Sequence, residues 1–97
     1  MSEAADADLT DIWMHIAIEG SEATATRFLA ALRSGLDRVL LFPEAGAPRD
    51  QLAPRLRATF HGSYVIYYRA AETELVVIRV LHGMRDQAAI ADRGGFQ

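Results

Sequence analysis

Four residues of this 97-residue chain are of the types that could cleave an RNA backbone: His82, Arg57, Arg79 and Tyr68. Attack by a ribose 2′-hydroxyl needs a base for its proton, a cation for the crowded phosphate and an acid for the leaving oxygen. Two counts stand against that chemistry. All ten basic residues are arginine, and the net charge is −3. An enzyme that docks on RNA is expected to be strongly basic, because phosphate contacts dominate such affinity. A lone histidine is also a weak signal. The default for His82 is a strand-end residue hydrogen-bonded to nearby backbone, and its functional alternative is a partner contact. No catalytic residue is therefore assigned. His15 and His61 lack ligand spacing with any carboxylate or other histidine, and there is no cysteine. Metal sites and disulfides are not expected. The sequence has no phosphate-cradling glycine loop, no Gly-x-Ser-x-Gly and no paired-carboxylate constellation, so no cofactor is expected either.

The distribution of charge says more than its total. The first 22 residues carry six acids and no base, whereas residues 23–85 carry nine arginines against five acids. Clustered guanidinium groups bind carboxylates in a bidentate fork. An acidic protein segment is thus a better partner than a nucleic acid. No apolar run approaches the roughly 18 residues that cross a bilayer, and the acidic start is not that of a signal peptide. The expected setting is the cytoplasm.

The elements that must position these residues follow from periodicity. Residues 1–97 are read as a single domain. Helix one (2–20) is capped by Ser2, buries Leu9, Ile12, Trp13, Ile16 and Ala17 at helical spacing, and ends at Gly20. Helix two (21–42) is capped by Ser21, buries Ala25, Phe28, Leu29, Leu32, Leu36, Val39 and Leu40, and is stopped by Pro43. The short link predicts an antiparallel hairpin. A loop (43–56) crosses to antiparallel strands (57–81), and a C-terminal motif and tail follow (82–97), with one helical turn from Asp86 to Ala91. The fold class is α+β: a helical hairpin on one face of a small antiparallel sheet of three to four strands. Alternation along the last strand places Val76, Ile78 and Val80 towards the helices. Leu75, Val77, Arg79 and Leu81 then occupy the opposite face, which is too apolar to be wholly solvated.

The order of elements, with Asp8-Leu9, Ile12-Trp13, Phe28-Leu29, Leu32, Pro43, Gly46, Leu56-Arg57, Tyr64 to Arg69, and the ending Arg79-Val80-Leu81-His82-Gly83 with Arg85-Asp86, resembles the RelE/ParE toxin superfamily. That ending is typical of its ParE branch. The resemblance implies a cytoplasmic toxin of a bacterial type II toxin–antitoxin pair, held in a hetero-oligomer by a ParD-like antitoxin and poisoning DNA gyrase by binding rather than by chemistry. Its RelE-like relatives are ribosome-dependent mRNA endonucleases, which is the alternative activity. A degenerate, non-toxic antitoxin-binding module is a third reading. Members usually begin with a strand before helix one. Here Met1-Ser2 stands where that strand would end: either the true start lies upstream, or this member lacks the strand and its sheet exposes a different edge.

On this reading the antitoxin contacts are Arg57, Tyr68, Arg69, Leu75, Val77, Arg79, Leu81, His82 and Arg85. Apolar anchors would meet the leucines and valine, and carboxylates the arginines. Arg79, a charge among apolar neighbours, needs a partner. An internal salt bridge with Glu74 or an acid of helix one is the alternative to an antitoxin carboxylate. Direct contact with nucleic acid or membrane is not expected.

Overall fold

The computed structural model describes residues 1–83. Helix α1 spans Glu3–Glu19 and helix α2 spans Glu22–Leu41. Each begins on an extended serine whose hydroxyl accepts a backbone N–H: Ser2 from Ala5 and Ser21 from Thr24. These caps satisfy donors that a helix start leaves open. The Gly20 N–H closes α1 on the Ile16 carbonyl at 2.8 Å, and Gly20-Ser21 turns the chain into an antiparallel hairpin. A 3-10 turn at Pro43–Ala45 follows α2, and four strands complete the element order: β1 (Ala47–Pro48), β2 (Arg57–His61), β3 (Tyr64–Ala70) and β4 (Leu75–His82). All neighbours are antiparallel in the spatial order β1-β2-β3-β4. The predicted turn at Asp86 to Ala91 lies outside the described residues.

The sheet is covered on both sides. On one, Ala5, Leu9 and Ile12 of α1 and Leu32 of α2 bury Ile66, Val77 and Val80. Phe28, Leu29 and Leu36 pack around them. On the other, the segment between β1 and β2 folds back over the strands. Leu52, Ala53 and Leu56 pack there on Ala58, Val65, Tyr67, Ile78 and Leu81. That segment, expected only to cross between layers, closes a second core over this face with Leu52, Ala53 and Leu56. Its shape is held by the Asp50 carboxylate accepting the Arg55 N–H at 3.0 Å and by the Arg49 N–H donating to the Leu56 carbonyl at 2.7 Å.

The predicted alternation of β4 fails at one point. Tyr67 pairs with Arg79 but Tyr68 pairs with Val77, so Ile78 is an extra residue in a β-bulge. An inserted residue reverses every side chain that precedes it. Val77 therefore joins Val80 on the helix side, and Val76 and Ile78 join Leu81 under the β1–β2 segment. This corrects the placement of Val76, Val77 and Ile78.

The bulge lies on the strand that is the sheet edge among the described residues, and α1 caps it. The Ser2 N–H donates to the Val77 carbonyl at 3.0 Å, and the Ser2 hydroxyl to the Ile78 carbonyl at 2.8 Å. The Asp8 carboxylate accepts the Val80 N–H at 2.9 Å. The same carboxylate takes Nε and Nη2 of Arg79 in a fork, each at 2.8 Å. The helix start thus stands where a further strand would pair, and an exposed edge is blunted.

Candidate partner-binding site

The sequence-derived contacts do not converge on one surface. Arg57 and Tyr68 are cross-strand partners on β2 and β3, and both clamp the turn before β1. Nη1 of Arg57 donates to the carbonyls of Glu44 at 2.9 Å and Gly46 at 2.7 Å. The Tyr68 hydroxyl donates to the Pro43 carbonyl at 2.7 Å and accepts the Gly46 N–H at 3.1 Å. The ring passes so close to Gly46 that a Cβ there would lie 2.8 Å from its Cζ, inside van der Waals contact. Burial pushes the Tyr68 hydroxyl above its usual pKa, while the Gly46 N–H and the Arg57 charge pull the other way. It is a buried neutral hydroxyl with its bonds already made.

Nε of Arg69 donates to the Pro54 carbonyl at 3.1 Å, tying β3 to the β1–β2 segment. Arg79 is held by Asp8, an acid of helix one, as the internal alternative required. Tyr68, Val77 and Leu81 are buried by the chain itself. The apolar contacts of Val77 and Leu81 are made within the core. Leu75 is half-buried and His82 exposed, at opposite ends of β4. Arg85 lies outside the described residues.

The same geometry bears on RNA cleavage. His82 pairs with Tyr64, four residues along β3 from Tyr68, which is about 13 Å at strand spacing. Its ring stands edge-on to Tyr64 with centroids 5.2 Å apart. Phe28 meets Tyr64 and His61 in the same way at 5.3 and 5.0 Å. His82 is thus part of an aromatic row, and Arg57 and Arg79 are committed elsewhere. No described group of histidine and carboxylate side chains could hold a metal, and no described helix is long and apolar enough to cross a membrane.

One surface went unread in the sequence. β1 pairs only with Arg57 and Ala58; beyond it β2 forms the sheet edge, and α2 does not cover it. Between them runs an open groove of about 280 Å³, lined by Leu32, Gly35, Arg38, Phe42, Phe60 and Ile66, among others. On it Phe42 and Phe60 are 71 and 61% exposed, and Leu41, next to Phe42 in the chain, is 73% exposed. Two signals pointed there. Leu40-Leu41-Phe42 are consecutive, so at 100° per residue they cannot all face one core, and Gly35 interrupts a strong helix.

A hairpin laid on a β-meander defines the class. A chain of the chromosomal ParDE TA system from P. aeruginosa has this fold, with a TM-score of 0.71 at 18% identity over 84% of this chain and 90% of that one. Sequence places it more closely. The family model for the ParE toxin of type II toxin-antitoxin system, parDE, matches residues 1–87. Toxin ParE1 of Mycobacterium tuberculosis is 32% identical over 87 residues, 89% of each chain. Toxin ParE1 of Caulobacter vibrioides is 30% identical over 82 residues, 84% of each. The chain belongs to the ParE toxin family of type II toxin–antitoxin systems.

Proposed function

We propose that this toxin acts by binding DNA gyrase and stalling it on cleaved DNA, without chemistry of its own, and that a ParD-like antitoxin neutralises it in a cytoplasmic hetero-oligomer. The supporting observation is the family match over residues 1–87, which takes in the Arg79-Val80-Leu81-His82-Gly83 ending typical of the ParE branch. The antitoxin reading also draws on the ParDE title of the structural neighbour. The non-enzymatic reading is supported by the distance of His82 along the sheet from Arg57 and Tyr68 and by the internal bonds of Arg57, Tyr68 and Arg79.

Of the sequence-derived antitoxin contacts, Leu75 and His82 keep accessible surface and stay in the proposal, as does Arg85. Arg57 and Arg69 stay in the proposal as well while keeping their bonds to backbone carbonyls.

The test is expression of the chain alone and together with the short ribbon-helix-helix protein sought in the adjoining reading frame. Expected are growth arrest, DNA breaks and an SOS response, inhibition of purified gyrase supercoiling, and rescue by the antitoxin. Cut mRNA over intact DNA, abolished by His82→Ala, would replace this reading with the endonuclease. A stable antitoxin complex with no growth defect would replace it with the non-toxic binding module.

A further inference from the structure

We infer that two copies of this chain pair through the outer face of the helical hairpin, with α1 of each copy lying antiparallel on α2 of the other. The inference does not depend on the antitoxin and gyrase readings above. Its first observation is an open groove of about 420 Å³ between the two helices, lined by Asp6, Leu9, Thr10 and Trp13 of α1 and by Leu29 and Arg33 of α2. No described strand contributes to it, so it opens on the side of the hairpin that the sheet leaves uncovered. Leu9 is buried there, and Trp13 and Leu29 are half-buried. Covering such an apolar floor releases water and favours association.

The second observation is charge. Asp6 and Arg33 stand exposed on opposite sides of this groove. Neither forms an ion pair with any described residue; the described pairs are His15 with Glu19 and Asp8 with Arg79. The helices carry the same asymmetry. Five acids and no lysine or arginine lie on α1, whereas α2 has three arginines and two acids. A basic partner would suit Asp6 and repel Arg33, and an acidic one the reverse. A rotated copy of the chain suits both. With a two-fold axis along the groove, Asp6 of each copy meets the partner's Arg33, and the contact occurs twice. An axis across the groove would lay acidic α1 on acidic α1, which like charges oppose. The third observation is size. Helices of 17 and 20 residues give a face about 25–30 Å long and roughly 20 Å wide. The pair therefore buries on the order of 1,000 Å² in total, the lower end for a specific interface, and the dimer forms at high concentration.

The experiment is sedimentation velocity of the purified chain at rising concentration, with tryptophan emission recorded alongside. Trp13 is the only tryptophan, so a dimer through this face should move the emission to shorter wavelength as water leaves the indole. Arg33→Asp and Asp6→Arg each set like charges at both symmetric pairs and should weaken the dimer about a hundredfold. Mixed together, the two variants should form a heterodimer of wild-type strength, since each supplies the sign that the other lacks. Thermal melting establishes that the variants fold. Should either charge variant fail to fold, Thr10→Glu, at an exposed position on the same wall, should weaken the dimer about tenfold. A wild-type chain still monomeric at about 1 mM would overturn the inference. So would a dimer that leaves Trp13 emission unchanged, one that withstands these substitutions, or folded charge variants that fail to pair on mixing. A dimer lost on Phe60→Arg but kept in Arg33→Asp would put the contact at the α2–β2 groove and overturn it as well.

Discussion

Replacing Asp8 with alanine tests how the two layers are joined. Its carboxylate accepts three hydrogen bonds from β4: Nε and Nη2 of Arg79 at 2.8 Å each and the Val80 N–H at 2.9 Å. The side chains of Arg79 and Asp8 are only 16 and 12% exposed. Asp8→Ala leaves a guanidinium with little water and a backbone N–H with none of its former partner. Breaking one side of a fully buried pair costs about 3–5 kcal/mol, and residual exposure puts this case near the lower figure. A loss of about 3 kcal/mol lowers the melting temperature of a domain this size by roughly 12–24 °C. Asp8→Asn, which keeps one oxygen for Nε and the Val80 N–H but sets an amide NH2 against Nη2 and loses the charge, should cost less than alanine. Asp8→Leu with Arg79→Met should cost less than the two single changes together, because it leaves no orphaned charge. Urea unfolding at low and at 1 M salt is the assay, and a partly buried fork should keep most of its value in salt. An Asp8→Ala protein within about 0.5 kcal/mol of wild type, the range of ordinary surface changes, would refute the argument.

Two further outcomes follow. Gly46→Ala should destabilise by about 2–3 kcal/mol, since its methyl meets the Tyr68 ring in a position closed by two hydrogen bonds; calorimetry should show Gly46→Ala with Tyr68→Phe to be no worse than additive. Stability should also decline at alkaline pH. Tyr64, Tyr67 and Tyr68 all have pKa values raised above the ordinary 10.0, chiefly by burial, with the Glu19 charge adding to Tyr64. A raised folded pKa gives stability that is whole below the unfolded value and is lost as pH climbs through the folded one. Denaturation midpoints should thus hold to about pH 10 and fall above it, and Glu19→Gln should lower the titration midpoint of Tyr64 seen in ultraviolet absorbance.

The helices were legible because their signals are local. Ser2, Gly20, Ser21 and Pro43 mark ends that the structure reproduces within a residue or two. The sheet was legible as a set of strands but not as faces. From Leu75 to Leu81 every residue but Arg79 is apolar, and a run without alternation carries no register, so the bulge at Ile78 left no trace. Leu52, Ala53 and Leu56 lie among prolines and charges, and a segment that covers a sheet without strand or helix has no period to detect. The arginines misled for a different reason. Arg57 and Arg69 find partners in the carbonyls of Glu44, Gly46 and Pro54, and backbone acceptors are invisible to any tally of opposite charges. Arg79 was the exception, since its partner is a side chain on a helix already drawn.

The seam between Ser2, Asp8 and the far end of the sheet joins residues 71 to 76 positions apart. The hairpin and the β-meander are each built from neighbours in the chain, whereas this seam needs both and must overcome the largest loop-closure entropy. During synthesis the hairpin emerges first, with Leu9, Ile12 and Leu32 turned towards a sheet that does not yet exist. The toxin's surface is completed only when β4 has left the ribosome, so a nascent chain passes through an interval in which its greasy helical stripe is open to chaperones and to neighbouring chains.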